Sequence, residues 1–129
     1  MEFYEDRDAM MNAVQTAYKK MLAQDDFQKT VGNLGATFGM SITDLTIDWL
    51  VTCRDGKVLW EERRGEEADL SFAFKSGKDF YEAFMEKQSP MYFIMTGKLK
   101  ISGDMQFTNK LLELARPLQQ AFQEAAQVN

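Results

Sequence analysis

The spacing of apolar residues predicts the elements in the first third of the chain. From Asp8 to about Gln24, apolar residues recur every three or four positions, as on one face of a helix. Asp6 or Asp8 can cap the start of this helix, and the Asp25-Asp26 pair ends it. Three glycines interrupt the next stretch, VGNLGATFGM, which therefore predicts turns and a short, irregular strand at about 36–40.

A hairpin is predicted in the middle of the chain. Apolar and polar residues alternate from Leu45 to Cys53, which is the period of a half-buried strand. Asp55-Gly56 tolerates the positive φ angles of a two-residue type I′ turn, and a return strand follows from Lys57 to Glu62. The same alternation predicts a third strand at 68–74.

Two helices are predicted after this third strand. Ser76 and Asp79 form the S-x-x-D pattern of a capping box in front of an apolar helix, which Ser89-Pro90 ends. Pro90 suits the first turn of a second, short helix. We expect the run MYFIM at 91–95 to be buried, because it is too continuously apolar to face water.

The stretch GKLKISGDM at 97–105 predicts a strand, a turn and the start of the terminal helix. Its lysines alternate with apolar residues, Gly103 permits a sharp turn, and Asp104 is a suitable N-cap. Pro117 kinks or divides the helix that follows. The order of elements predicts an α+β fold, with an antiparallel sheet and helices packed on one face.

Composition and charge narrow the classes of function. The 129 residues fit one domain, and no apolar run is long enough to span a bilayer. The formal net charge is −5 and the few basic groups are diluted by acidic residues, which argues against nucleic acid as a partner. Without an apolar span, stable membrane insertion is not expected either. The chain has no histidine, so the commonest general base and metal ligand are absent, and we expect no cofactor or metal. The single cysteine and an acidic N-terminal segment predict a cytoplasmic location.

Several short motifs carry a resemblance to a known family. GKLKISGDM lacks the glycine and Ser/Thr neighbours of a P-loop, so a strand with a solvated lysine face is favoured over a phosphate-binding loop. Followed by a Leu-rich helix, the stretch instead resembles a signature of the sterol carrier protein family. Upstream, Arg54-Asp55-Gly56-Lys57-Val58, Ala68-Asp69-Leu70-Ser71-Phe72 and Asp79-Phe80 fall in the order that the family shows. The resemblance covers 36–118, and residues 1–35, with the N-terminal helix at 1–30, match only as a helix of the right general kind.

The resemblance implies a fold and a function. It implies a single domain over 1–129: a five-stranded, mostly antiparallel sheet covered on one face by helices, with an apolar tunnel between the layers. Proteins of this family bind and carry fatty acids, fatty acyl-CoA, sterols or phospholipids. The terminal segment 118–129 is either permanent core or a lid over the mouth of the tunnel, because Pro117 makes an independent last piece plausible.

The resemblance also suggests which residues bind lipid. Met and Phe are abundant and adapt to chains of different shape, although apolar residues at these spacings also fill solid cores. The candidate lipid-binding residues are Phe72, Phe74, Phe80, Phe84, Met91, Met95, Leu99, Ile101, Met105, Leu111, Leu114, Leu118 and Phe122.

Charged candidates have a structural interpretation beside the functional one. Lys98 and Lys100 either form the solvent-exposed face of a strand or contact a lipid headgroup near the mouth of the tunnel. With Arg63 and Arg64 they are the only candidate anion patch. Asp44 and Asp48 are two carboxylates near one strand with no sign of a pocket for acid–base chemistry, and Cys53 is expected to be buried and inert. Trp49 and Trp60 are expected to pair across the hairpin or to pack on the sheet.

The sequence leaves three classes of function open. The first is non-catalytic intracellular lipid binding or transfer. The second is an interaction or regulatory module that docks a partner protein, for example an enzyme that handles acyl-CoA. The third is an enzyme acting alone, which lacks a histidine to activate Cys53 and a marked pair of carboxylates.

Overall fold

The computed structural model describes residues 3–24, 26–64, 67–85 and 90–127. The helices are α1 (Arg7–Leu22), α2 (Phe27–Val31), α3 (Gly77–Phe84), α4 (Pro90–Met95) and α5 (Thr108–Gln127). The strands are β1 (Ala36–Ile42), β2 (Ile47–Arg54), β3 (Lys57–Glu62), β4 (Leu70–Phe74) and β5 (Leu99–Gly103). Short 3₁₀ turns at Phe3–Glu5 and Met105–Phe107 precede α1 and α5.

One five-stranded sheet carries the fold, in the order β3-β2-β1-β4-β5. Strands β1 and β4 pair in parallel, and the other three pairs are antiparallel, so the sheet is mostly antiparallel as expected. The parallel pair aligns Phe38 with Leu70 and Ile42 with Phe74. Alternate apolar positions of both strands therefore face the same layer of helices.

The core lies between this sheet and helices on one of its faces. Met10, Val14, Ala17 and Met21 form the buried stripe of α1. Inward-facing residues of the strands complete the core: Ala36, Phe38, Met40, Ile42, Ile47, Trp49, Val51, Cys53, Val58, Leu70, Phe72 and Phe74. On the opposite face, alternate residues are partly or fully exposed, as the period-two pattern predicts. The prediction of an α+β fold is confirmed.

Local signals in the sequence set the ends of these elements. Asp6, not Asp8, caps α1: its carboxylate accepts from the backbone N–H of Ala9 at 3.0 Å. Ser76 caps α3 by accepting from the backbone N–H of Asp79 at 3.1 Å. Asp55 and Gly56 have φ angles of 55° and 74°, the two positive values that a type I′ hairpin needs.

Three predictions of local structure were wrong. Strand β1 is a regular seven-residue strand at the centre of the sheet, because pairing on both sides holds it extended despite Gly39. Strand β2 begins at Ile47 instead of Leu45, because Thr46 has φ 54° in the preceding turn. For Pro117, the alternative of a divided helix was wrong, because α5 continues from Thr108 to Gln127 with Leu114 and Leu118 both buried, whereas the alternative of a kink stays a prediction.

Helix α2 was not predicted, and three predicted features fall outside the described residues. The five residues of α2 bury Phe27 and Val31. The features outside the described residues are the helix breaks at Asp25 and Ser89 and the last two residues of the predicted terminal segment. Of the described helices, none is long and apolar enough to cross a membrane.

Candidate functional site

An apolar cavity of about 210 Å³ lies between the β4–β5 end of the sheet and the helices that cover it. Only two of the residues around it, Thr108 and Gln119, have polar side chains. The others are Phe72, Phe74, Ala83, Phe84, Ile94, Leu99, Ile101, Leu111, Leu112, Leu114, Ala115 and Leu118. Such a lining favours an apolar guest over a polar one.

The floor of the cavity follows from the register of two strands. Strands β4 and β5 pair Phe72 with Ile101 and Phe74 with Leu99. Side chains directly opposite each other in a sheet point to the same face, so all four face the helices. Edge strand β5 therefore extends the apolar floor beyond the part of the sheet that α1 covers.

The roof is one face of α5. Thr108, Leu111, Leu112, Ala115 and Gln119 line the cavity at spacings of three and four residues, which is one side of a helix. Leu114 and Leu118 line its inner edge and are 1% exposed. The roof is thus continuous with the core stripe of the same helix.

A cluster of phenylalanines closes the inner end. The ring centroid of Phe84 lies 4.5 Å from that of Phe80 and 6.0 Å from that of Phe122. Phe84 lines the cavity, whereas Phe80 and Phe122 lie behind it and are almost fully buried. These two rings pack against Phe84 and each other as part of the core.

Two glutamine side chains join α5 to the end of α3 beside the cavity. The amide of Gln119 donates to the carbonyl oxygen of Ala83 at 3.3 Å. The amide of Gln123 donates to the carbonyl oxygen of Phe84 at 3.1 Å. Carbonyls at the end of a helix lack partners within it, so these bonds satisfy α3 and hold α5 in place.

The structure divides the thirteen candidate residues into three groups. Eight line the cavity: Phe72, Phe74, Phe84, Leu99, Ile101, Leu111, Leu114 and Leu118. Phe80 and Phe122 belong to the solid core. Met91, Met95 and Met105 are not among the lining residues and are exposed by 60%, 79% and 57%. That the lining residues bind lipid stays a prediction.

The expectation that residues 91–95 are buried was wrong. In α4 only Phe93 is buried, while Met91, Tyr92, Ile94 and Met95 are all exposed. This helix of six residues packs on β5 and α3 with one inward face, and Phe93 occupies that face. The continuous apolar sequence predicted burial of all five side chains, but β5 and α3 cover only one side of the helix.

Sequence reasoning missed six of the lining residues. They are Ala83, Ile94, Thr108, Leu112, Ala115 and Gln119. On α5 the prediction followed the strongest apolar stripe, through Leu111, Leu114 and Leu118. A second row at Thr108, Leu112 and Ala115 lies beside it, and its spacing of three and four was the signal available.

The basic residues do not form a single anion patch. Lys98 lies near the cavity end, with its ammonium 3.9 Å from Asp79 Oδ1 and 5.3 Å from the ring centroid of Tyr92. Lys100 is exposed and points to the open face of edge strand β5. Arg63 and Arg64 border a separate cleft that neither lysine lines, so the structure does not support the predicted grouping with the two lysines.

The acidic and thiol candidates have structural roles. Asp44 Oδ1 accepts from the backbone N–H of Gly77 at 2.9 Å, and Asp48 Oδ1 accepts from Ser41 Oγ at 2.8 Å. Burial raises the pKa of the Cys53 thiol to about 12, so it stays protonated near neutral pH. Among the described residues, no group of His, Cys, Asp or Glu is arranged to hold a metal ion.

The two tryptophans pack as expected, at the other end of the sheet. The rings of Trp49 and Trp60 meet edge to face with centroids 5.9 Å apart. Tyr18 of α1 lies 6.0 Å from Trp60 and donates its hydroxyl to the carbonyl oxygen of Val58 at 2.7 Å. This cluster fixes α1 on the hairpin and is separate from the cavity.

Comparison with known proteins identifies the family. The model of the SCP-2 sterol transfer family matches residues 14–116, which is most of the chain. This chain belongs to the SCP-2 sterol transfer family. The matched range includes β1 to β5 and the first half of α5, and therefore nearly all of the cavity lining. No curated protein sequence matches the chain significantly.

Solved structures show the same fold. Sterol carrier protein domain 2 of Helicoverpa armigera is 21% identical, with a TM-score of 0.61, covering 81% of this chain and 89% of that one. Apo sterol carrier protein 2 from Yarrowia lipolytica is 15% identical, with a TM-score of 0.62 and coverages of 88% and 89%. A structure described as UbiJ-SCP2, a ubiquinone synthesis protein, is 13% identical, with a TM-score of 0.60 and coverages of 84% and 94%.

Proposed function

We propose that this SCP-2 family member binds the apolar part of a lipid in the cavity under α5, without catalysis. The lining carries this proposal, because only Thr108 and Gln119 among the lining residues are polar, and the Gln119 amide already donates to a backbone carbonyl. Fatty acids, fatty acyl-CoA, sterol-like molecules and phospholipids all offer a suitable apolar portion. A cytoplasmic location stays a prediction from the single cysteine.

The size of the cavity favours a slender guest. Its 210 Å³ is smaller than the roughly 300–1,000 Å³ of sites that enclose a drug-sized ligand. An acyl chain can enter such a space end first, whereas a rigid ring system needs a wider one. An acyl chain is therefore our preferred ligand, with the rest of the molecule outside the mouth between Ile94 and Leu112.

The polar end of the ligand would lie near Lys98, because Lys100 points to the opposite face of the sheet from Leu99 and Ile101. Lys98 lies between Asp79 and the ring of Tyr92, on the segment that joins α4 to β5. An anionic carboxylate or phosphate would be attracted to the Lys98 ammonium group. This assignment supports fatty acids and phosphorylated lipids over neutral sterols.

Native mass spectrometry of the freshly purified protein tests the proposal. An extra mass of a few hundred daltons, lost on denaturation, is the expected result. Ala115→Phe adds a ring inside the cavity, and we expect it to abolish ligand retention and uptake of added fatty acid. Ala23→Phe, at an exposed position after α1, is the matched control and should retain the ligand. A clean mass, with no uptake of fatty acid or acyl-CoA by the unmodified protein, would refute lipid binding.

Docking of a partner protein is the second candidate. The exposed side chains of α4 favour it, because monomeric proteins rarely present a contiguous apolar surface without a partner. A partner enzyme that handles acyl-CoA would combine both functions, and a stable protein that binds no lipid would favour docking alone.

A further inference from the structure

The exposed large apolar side chains of this protein are concentrated in one segment. Among the described residues, all except Leu59 lie within 91–112: Met91, Tyr92, Ile94, Met95, Met105 and Leu112. On α4, Met91, Tyr92 and Met95 are spaced by one and three residues and share the side away from buried Phe93. An exposed apolar cluster of this kind, with polar residues around it, is typical of a surface that binds a membrane or another protein.

This surface is continuous with the mouth of the cavity. Ile94 and Leu112 are 40% and 55% exposed, yet both also line the cavity. They therefore belong to the inner wall and to the outer surface at once. We define the mouth surface as Met91, Tyr92, Ile94, Met95 and Leu112. Whatever covers this surface also covers the opening.

The charge around the mouth surface is opposite to that of the whole chain. Residues 90–110 contain three lysines and one aspartate, whereas the chain as a whole carries −5. The remainder of the molecule is therefore at −7. Two of the lysines lie over aromatic rings of this segment, Lys98 over Tyr92 at 5.3 Å and Lys110 over Phe107 at 4.9 Å. Lysine side chains and exposed apolar side chains therefore occur in the same segment of the chain.

We propose that the mouth surface docks on an anionic lipid bilayer. Apolar side chains in the acyl–headgroup boundary, with lysines among the anionic headgroups, are the two contributions that hold peripheral proteins on membranes. The same anionic membrane repels the acidic remainder of the molecule, so the charge distribution also orients the protein with the mouth of the cavity toward the membrane. This inference rests on the proposed lipid-binding function and adds the route by which the lipid enters.

Docking in this orientation removes water from the path of the ligand. Exposed methylenes of a lipid would each cost roughly 0.8 kcal/mol to transfer through water. With the mouth surface seated in the boundary region, an acyl chain passes from the bilayer between Ile94 and Leu112 directly into the cavity. The flexible, polarisable side chains of Met91 and Met95 can repack around a passing chain.

Co-sedimentation of the full chain with vesicles tests the proposal. We expect binding to phosphatidylcholine vesicles that contain phosphatidylserine, at least tenfold weaker binding to phosphatidylcholine alone, and loss of binding at high salt, which shortens the electrostatic range. Met91→Asp/Met95→Asp should reduce binding to the mixed vesicles at least tenfold. Both residues are exposed, so this variant should fold. Leu59→Asp, at an exposed apolar residue on edge strand β3, is the matched control and should bind normally.

A pair of charge-reversal variants separates electrostatic from apolar docking. Lys110→Glu, at the lysine over the Phe107 ring, should weaken binding to the mixed vesicles by at least about fivefold and leave the weak binding to phosphatidylcholine unchanged. Lys29→Glu makes the same change in net charge at an exposed lysine outside residues 90–110. This second variant should bind nearly as well as the unmodified protein.

The outcomes distinguish this inference from the proposed function. Uptake of monomeric fatty acid, measured by native mass spectrometry without vesicles, reports the cavity alone. Normal uptake with no vesicle binding, or with vesicle binding that survives Met91→Asp/Met95→Asp, would overturn membrane docking and retain lipid binding. Vesicle binding with the expected variant pattern but without uptake would support docking and reject the carrier function.

Discussion

Gly97 and Gly103 stand at the two ends of β5 and both have positive φ angles, 75° and 109°. Their surroundings differ. A Cβ on Gly97 would meet no atom within 4 Å, whereas a Cβ on Gly103 would lie 2.7 Å from the carbonyl oxygen of Asp69 and 3.1 Å from the Cα of Leu70. Gly97 thus provides only a turn, while Gly103 also lets the end of β5 approach β4.

Alanine substitutions should separate these two roles of glycine. Gly97→Ala should lower the free energy of unfolding by about 1 kcal/mol, which is the cost of a left-handed conformation for a residue with a Cβ. Gly103→Ala carries the same cost and a clash with backbone atoms, so we expect a loss of about 2–4 kcal/mol. Urea unfolding of the two variants measures the difference, and equal losses would contradict the close approach seen at Gly103.

Residue-scale prediction from sequence worked where the cause is local. The caps Ser76 and Asp104 accept hydrogen bonds from residues two or three positions ahead, and short-range sequence contains that information. It failed for Met91 and Met95, because their exposure depends on how much surface β5 and α3 offer to α4. No pattern within 91–95 specifies the extent of a neighbouring surface.

At the scale of elements, the second half of α5 was expected to be either core or a lid. Leu118 and Phe122 are 1% exposed, and Ala121 is fully buried. The amides of Gln119 and Gln123 also hold this part of the helix to the end of α3. Burial and hydrogen bonding therefore favour the role of permanent core, and a lid would have to break both.

Truncation of Phe122 tests the two roles. As core, Phe122→Ala should reduce the free energy of unfolding by about 3–5 kcal/mol, because it leaves a cavity among Phe80, Phe84 and Tyr81. Leu112→Ala, at a half-exposed position of the same helix, should cost much less, about 1 kcal/mol or below. Amide exchange of 118–124 should be as slow as that of α1; fast exchange there, with a small cost for Phe122→Ala, would support a lid.

The elements found from sequence are those with a long, regular period. The β2–β3 hairpin has alternation over both strands and a turn with a specific residue pair, and α1 has four turns of apolar spacing. Helix α2 has five residues, which is too short for a helical period to be recognised. Glycines interrupt the alternating pattern of strand β1, so the sequence predicted it poorly. Its regular structure comes from pairing with β2 and β4 on its two sides, and β4 is distant in sequence.

At the scale of the whole molecule, the family resemblance contributed what periodicity cannot. Alternating patterns predicted strands but did not specify the parallel β1–β4 pair at the centre of the sheet. The same holds for the cavity: apolar spacing predicts that a side chain is buried, and whether the space beside it is filled depends on side chains from β4, β5, α3 and α5 together. The existence of an unfilled cavity is therefore decided only when the sheet and the helices have packed together.

The volume of the cavity makes a prediction about chain length. A methylene occupies about as much space as a water molecule in the liquid, roughly 30 Å³, so the cavity of 210 Å³ accommodates about seven methylenes. Each buried methylene contributes roughly 0.8 kcal/mol, which is about fourfold in affinity. Across a series of straight-chain fatty acids, affinity should therefore rise about fourfold per carbon and level off once about seven methylenes are enclosed.

Isothermal titration calorimetry of this series gives the measurement, and Ala115→Phe gives the internal check. A ring placed inside the cavity should leave no rise of affinity with chain length, because it removes the space that the methylenes would enter. If affinity in the unmodified protein instead continues to rise well beyond about seven methylenes, the walls must move apart or the chain must extend along exposed apolar residues outside the mouth. If the affinity of Met91→Asp/Met95→Asp no longer rises beyond about seven methylenes, the extra methylenes bind to the exposed apolar residues outside the mouth. If the affinity of this variant still rises, α5 must shift on the sheet to enlarge the cavity.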